Sequence, residues 1–580
     1  MARPIFALSV SLVLGLTANL PADAGELSPA MEAYEDVTRL RDPHSDVIYQ
    51  GAAATPEELR AILVDLDQGL AKLDTPLYRD LGEGNEYLRY RRFNFLIDKV
   101  KVHARLNEMT EALAAWESVQ DIAWLSEISP FVSDVHVQRL LADPRSAGIR
   151  AQAEVTARWA GYPALKTPYR EQLPVAERIA GLSLIWSVAR DNFVWFDQLP
   201  ELDWDQAYLE TLPKVIEAKD TADYYRELMR FAALLKDGHS NAYPPDELAP
   251  AMYSRPGLRT ALVEDKVLVL EVRDPALAKS GVKVGDEIVR IDGQPVRSYA
   301  EAQVAPYESS STRQDRDVRS FSYGLLAGDA QQPVQLQLRS AGGKLFEVSA
   351  PRSGYQRTPG RASESFEVRR DGVAVLRASQ FESDAAHQLL LKHWSELSSA
   401  KALVLDLRGN GGGSSNHGWD LLTHLSDDPV VTPVSRYRDG SPLSRARNGE
   451  NASIKWRIVP DEPYQRRDSR KFSGPVAMLI DARTFSAAED TAAAFKLMQR
   501  GPIIGVASGG STGQPLGFPL PGGGFARICV KRDSYPDGTD FVGVGVLPDI
   551  EVAPTVASVR AGRDPELEMA VRTVTRKSPR

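Results

Sequence analysis

Ser486 stands where an apolar, β-branched run of buried-strand length, Val476 to Ile480, gives way to an alanine-rich stretch, Ala487 to Lys496, that predicts a helix. A serine at such a junction has two chemical readings. Its hydroxyl can cap the helix by accepting a backbone N–H. It can also be a nucleophile, with the helix dipole and the N–H of Ala487 placed to stabilise an oxyanion. A nucleophilic hydroxyl needs a proton acceptor. His239 is the candidate: it follows Leu234-Leu235-Lys236-Asp237-Gly238, where a helix is expected to stop at Gly238 and pass into a loop. Its other reading is a histidine favoured by the dipole at a helix C-terminus. A third stretch, Arg408-Gly409-Asn410-Gly411-Gly412-Gly413, joins a buried strand to a helix, and its glycines allow a tight turn with free N–H groups. A phosphate loop is excluded because no Gly-Lys-Ser/Thr follows. An activated hydroxyl, a base and aimed N–H donors are the parts that acyl transfer requires.

The whole chain narrows the alternatives. Its 580 residues exceed what one core supports, and 43% apolar with 25% charged residues is ordinary for globular domains. A net charge of -9 without a long basic block argues against nucleic acid. Cys529 is the only cysteine, which excludes an internal disulfide, a Cys-rich zinc site and an iron–sulfur cluster. Flanked by Ile528 and Val530, it reads as a core thiol. The eight histidines include no His-x-x-x-His pair, so neither a metal nor another cofactor is expected. Residues 1–24 read as a secretory signal, with Arg3, the apolar run Ile5 to Leu16 and Ala22-Asp23-Ala24 before Gly25. No other stretch is long and apolar enough to span a bilayer, so an exported protein, periplasmic or extracellular, is expected.

The elements that must position the three stretches follow in order. Residues 25–170 carry helical spacing, as in Leu59, Ile62, Leu63 and Leu66, and form an N-terminal helical region. Residues 171–255 continue helical, with Phe193, Trp195, Phe196 and Trp204 read as core. Residues 256–351 alternate as strands. Within them, Ala278 to Val296, with Gly281-Val282, Val284-Gly285-Asp286 and the Asp292-Gly293 hairpin, resemble the PDZ signature, a module that captures extended peptides by strand addition. The charged stretch Ser309 to Arg319 reads as a solvated loop or helical insertion. After a linker at 353–361, strands and helices alternate through 362–556 as an α/β core, and 557–580 reads as a C-terminal tail.

Four motifs, taken together and in order, resemble the tail-specific, or C-terminal processing, serine peptidases: Asp237-Gly238-His239-Ser240, Leu403 to Gly413, Thr484 to Glu489, and Gly543-Val544-Gly545-Val546-Leu547-Pro548-Asp549. The resemblance covers roughly Glu171 to Val552 and implies a ClpP-like or crotonase-like spiral of β and α units with an inserted PDZ domain. It implies Ser486 as nucleophile and an oxyanion hole from the N–H of Ala487 and a glycine of the turn, Gly412. Gly411, Gly413, Gly281 and Val282 are then the expected peptide contacts. The family's Ser-Lys dyad needs a lysine in a Gly-Lys-Gly turn, where this chain has Gly509-Gly510-Ser511-Thr512-Gly513-Gln514, and Lys496 and Lys531 do not fit. The tricorn-like branch uses a histidine instead, which implies His239 as the base. Of the carboxylates that could orient it, Asp540 ranks first, ahead of Asp237 and Glu489, although Val542 occupies the aligned position. The expected partner is a polypeptide substrate, with self-association left open. The alternative is a peptide- or small-ligand-binding protein that has lost turnover, favoured by the missing lysine and by Val542. An unrelated α/β-hydrolase lacks its Gly-x-Ser-x-Gly elbow here.

Overall fold

A computed structural model of the chain describes residues 29–49, 52–120, 135–160, 162–353, 364–439, 455–459, 463–465 and 468–576. The expected export signal and most of the 353–361 linker lie outside them. The fold is mixed α/β with a helical N-terminal region. Pro56–Leu73 starts at Thr55, whose hydroxyl accepts the Glu58 N–H while the Glu58 carboxylate accepts the Thr55 N–H, a reciprocal cap. Leu59, Ile62 and Leu66 then recur on one buried face against Glu86–Leu106. A second cluster forms around Trp116 and Val100.

Three helices lead to the histidine loop: Val175–Asn192, Trp204–Glu217 and Thr221–Ala233. Phe193, Trp195 and Trp204 are buried as expected, and Trp204 stacks on Phe231 at 4.2 Å. The last helix ends at Ala233 rather than Gly238, and the chain reverses at Lys236 with φ 46°.

Residues 258–350 form an antiparallel sheet in the order Leu258–Val263, Lys266–Val272, Glu287–Ile291, Val334–Arg339, Leu345–Ala350. It has its own core around Val269, Ile288 and Leu336. The Asp292-Gly293 hairpin forms as expected, both residues at positive φ. In the stretch Ser309 to Arg319 the helical reading holds, but only part of it is solvated, Arg313 and Arg316 being exposed. Arg313–Val318 is helical; Ser309 is buried against the histidine loop, and Asp315 is buried as the partner of Arg319.

The site sits on a six-stranded sheet ordered Ile550–Glu551, Ile503–Gly505, Val476–Ile480, Ala402–Asp406, Val373–Arg377, Ser365–Val368. All pairs are parallel except the last. Strands Ala402–Asp406 and Val476–Ile480 are buried at every residue, because a parallel sheet is covered on both faces. Leu403, Leu405, Met478 and Ile480 face the main core; Ala402, Val404, Ala477 and Leu479 face Ala570 and Val574. Those last two residues belong to the helix Pro565–Thr575, so residues read as a tail close one face of the sheet. The apolar positions of that helix needed a partner surface, and the sheet supplies it. Register Leu403↔Val476 to Asp406↔Leu479 brings the carboxyl ends of both strands together, and the glycine turn and Ser486 leave from there.

Candidate active site

Ser486 precedes the helix Ala487–Met498 but lacks the extended backbone of an ordinary N-cap: φ is 57° and ψ -128°. A non-glycine residue held there stores about 1–3 kcal/mol and persists only when its surroundings over-determine it. They do so here. The Phe485 N–H donates to Asn410 O at 2.9 Å, and the Ser486 N–H donates to Ser511 O at 3.1 Å and to the Glu489 carboxylate at 3.2 Å. The strained turn aims Ser486 Oγ at His239 Nε2, 3.1 Å away.

His239 is buried, and its ring stacks on Phe485 with centroids 4.8 Å apart. Its Nδ1 lies 2.9 Å from Ser511 Oγ. Ser511 Oγ in turn reaches Asp237 Oδ1 at 3.4 Å, and Ser240 Oγ donates to Asp237 Oδ2 at 2.6 Å. With Nε2 as the acceptor for Ser486, one consistent proton arrangement runs from Nδ1–H to Ser511 and from the Ser511 hydroxyl to Asp237. Gly238 is required by proximity: a Cβ there would lie 2.7 Å from the Phe485 ring and 2.9 Å from Ser511 Oγ. Burial, then the charges of Arg527, Arg319 and Lys531, hold the imidazole well below its usual pKa, so it stands neutral as a base must. Burial raises the pKa of Asp237, opposed by the Ser240 hydrogen bond and by Arg527 and Arg319.

The expected orienting carboxylate, Asp540, is elsewhere. Its oxygens accept from Arg532 at 2.5 and 3.4 Å, and Arg532 also pairs with Asp197. The carboxylate behind His239 is Asp237. Val542 is buried core. Glu489 is fully buried and braces rather than touches the imidazole. It accepts the Ser508 hydroxyl at 2.6 Å, the N–H groups of Gly510 at 2.7 Å and Ser511 at 2.9 Å, and that of Ser486. Burial lifts its pKa to about 7, while the Ser508 hydroxyl and the Ser511 and Gly510 N–H groups favour the carboxylate. It thereby ties the Ser511 turn to the serine helix. Glu489→Gln places an NH2 among donors that need an acceptor, and is expected to cost about 2–4 kcal/mol in urea unfolding; a loss below 1 kcal/mol would exclude this bracing role.

The glycine turn abuts the serine. Gly412, φ 101°, could carry no side chain, since a Cβ would meet Ser486 Cβ at 2.7 Å and Phe485 O at 2.9 Å. Its N–H, expected in the oxyanion hole, donates to Asn410 Oδ1 at 2.9 Å. The amides of Gly411, Gly413 and Ala487 donate to no group among the described residues. Arg408 fixes the turn from behind, pairing with Asp406, Asp564 and Glu566 at 2.8–2.9 Å. Gly411, Gly413, His239 and Ser486 line a cleft of about 570 Å³ together with Arg319, Arg483 and Arg527. Gly281 and Val282 do not line it: Gly281 is exposed on the separate antiparallel sheet domain, and Val282 is packed into that domain's core.

Sequence reasoning missed Ser511 and Asn410. Ser511 occupies the Gly509–Gln514 turn where the resemblance places a lysine, so a hydroxyl at the vacated position was the available signal. Lys496 bonds Leu547 O and Lys531 pairs with Asp533; neither bonds Ser486. Segment 309–319 was missed as a site element as well. Ser309 Oγ donates to Asp237 O, and Ser311 accepts the Gly238 N–H. Thr312 and Gln314 donate to Gly509 O and Ser508 O. Among the described residues, no group of three or more His, Cys, Asp or Glu is placed to hold a metal ion, and no helix is long and apolar enough to cross a membrane.

Residues 372–552 match peptidase family S41. A putative tricorn protease homolog 2 of Streptomyces coelicolor is 24% identical over 422 residues, 66% of this chain and 31% of that protein. A chloroplastic C-terminal processing peptidase of Tetradesmus obliquus is 23% identical over 347 residues, covering 58% of this chain and 69% of its own length. The chain thus spans about a third of the first relative. The structure of mature CPAF complexed with lactacystin superposes with a TM-score of 0.55 at 16% identity, covering 69% of this chain and 97% of that one, which shows a shared fold.

Proposed function

We propose that this protein is an exported serine peptidase that cleaves polypeptides by acyl transfer, with Ser486 as nucleophile and His239 as general base. The observation that carries the reading is the 3.1 Å approach of His239 Nε2 to the hydroxyl of a serine held at positive φ beside an unengaged helix N-terminal amide. Ser486 Oγ attacks the scissile carbonyl carbon as its proton passes to His239 Nε2. The tetrahedral oxyanion is met by the N–H of Ala487 and by a flanking amide of the glycine turn, Gly411 or Gly413, in place of the engaged Gly412. Ser511, backed by Asp237, stabilises the imidazolium through Nδ1–H. The proton then goes to the leaving amine, and water, deprotonated by His239, releases the acyl fragment. The sheet domain of residues 258–350 presents the polypeptide, as its PDZ-like sequence suggests.

A fluorophosphonate probe tests the reading. It should phosphonylate Ser486 in the native protein and fail to do so in the urea-unfolded one; unlabelled native protein would favour the binding-only alternative. Ser511→Ala removes the partner of Nδ1 while leaving the base in place. Its kcat on a peptide substrate should fall roughly 10- to 100-fold with KM held, and the acid limb should move to lower pH. An unchanged kcat and limb would remove Ser511 from the relay.

A further inference from the structure

We infer that Arg527 reads a substrate carboxylate in the cleft, selecting polypeptides that bring an acidic side chain or a free C-terminus beside the scissile bond. The inference rests on the serine-peptidase reading above. Three guanidinium groups line the cleft, and two are already answered. Arg319 pairs with Asp315 at 2.8 Å and Arg483 with Asp481 at 3.0 Å. Arg527 is half-buried on the strand Phe525–Cys529, in register with Asn241. Its bonds go to neutral oxygens, Asn241 Oδ1 at 3.0 and 3.1 Å and Gly238 O at 3.2 Å. Among the described residues no carboxylate lies within ion-pair reach of it; Asp237, the acid behind the loop, is buried and engaged by Ser240 and Ser511.

A half-buried cation with neutral partners and a cleft in front of it has unspent capacity for an anion. Its fork is also pre-set: the guanidinium lies 5.5 Å from the Tyr243 ring and is tied to the residue next to His239, so little side-chain freedom is lost when a carboxylate docks. That attachment places the charge next to the group that protonates the leaving amine. The competing role, a brace for the Gly238 carbonyl alone, predicts no dependence on substrate charge.

Matched peptides separate the two. One arm compares Glu with Gln within two residues on either side of the cleaved bond; the other compares a free with an amidated C-terminus. The wild type should favour the acidic member of one arm by roughly tenfold in kcat/KM, the arm naming the source, and the ratio should shrink at high salt. Arg527→Gln should bring that ratio to about one, and Arg527→Lys should keep part of it. The ratio cancels any common loss from a disturbed histidine loop. A wild-type ratio near one in both arms, or a preference that survives in Arg527→Gln, would overturn the inference while leaving the peptidase intact. No cleavage of any peptide and no fluorophosphonate labelling would overturn both.

Discussion

Ser486→Ala is expected to lower kcat/KM for peptide cleavage by at least about 10⁴-fold, because the nucleophile and its base act as a unit and only binding and the amide donors remain. The loss should not come from unfolding. The hydroxyl faces the cleft and His239 rather than the core, so the alanine protein should retain its unfolding free energy in urea within about 0.5 kcal/mol. Ser486→Gly makes the same chemical deletion and also removes the side chain that disfavours φ 57°. It should be as inactive as the alanine variant and about 1 kcal/mol more stable. Equal or lower stability of the glycine variant would deny that the turn is strained, and wild-type turnover in either variant would end the assignment of Ser486. An inactive but unstable alanine variant is resolved by titrating the residual folded fraction with a reversible peptide ligand.

The parts legible in the sequence were those encoded locally. A continuous apolar run followed by Thr484-Phe485-Ser486 and alanines specifies a buried strand feeding a helix, and the strand and helix ends fall within two residues of where the pattern puts them. The clustered glycines 409, 411, 412 and 413 likewise announce a tight turn, and within it Gly412 is pressed against Ser486 and Gly413 against the Phe381 backbone. What the sequence hid depends on distant pairings. Ser511 and His239 are 272 positions apart and meet only because the Gly509–Gln514 turn is clamped by Glu489. Asp540 ranks first from sequence because it lies near the aligned position, but Arg532 engages it, and no feature of local sequence announces that pairing. Ser309 to Arg319 misled for a different reason. Alternating charges usually mean solvent, yet Asp315 and Arg319, four apart on one helical face, neutralise each other and can be buried as a pair. The serines of the same stretch then reach the backbone of the histidine loop, which composition cannot reveal.

His239→Gln should remove activity nearly as completely as loss of the serine, by about 10⁴-fold or more, since glutamine fills the space but cannot accept and return a proton. The pH dependence makes the assignment specific. Burial first, and then Arg527, Arg319 and Lys531, depress the pKa of the imidazole, so the wild-type acid limb of kcat/KM should lie below pH 6.5, the value of an unperturbed histidine. The residual activity of the glutamine variant should lack that limb. Stability gives an independent reading of the same proton. The unfolded chain binds it near pH 6.5 and the native chain only at lower pH, so in that window the unfolded state carries more protons and native stability falls as pH falls, by at most about 1.4 kcal/mol per unit. Buried Glu489 and Glu566, raised to about 7, act with the opposite sign between their ordinary carboxylate range and pH 7, because there the native state holds their protons. The difference between wild type and His239→Gln cancels those carboxylates and isolates the histidine. Paired urea titrations at pH 7.5 and 5.5 should show the wild type losing about 1 kcal/mol more than the variant on acidification. An acid limb at or above pH 6.5, together with equal losses in the two proteins, would mean that the imidazole is not held neutral by its burial; wild-type activity in His239→Gln would send the search for the base to another group.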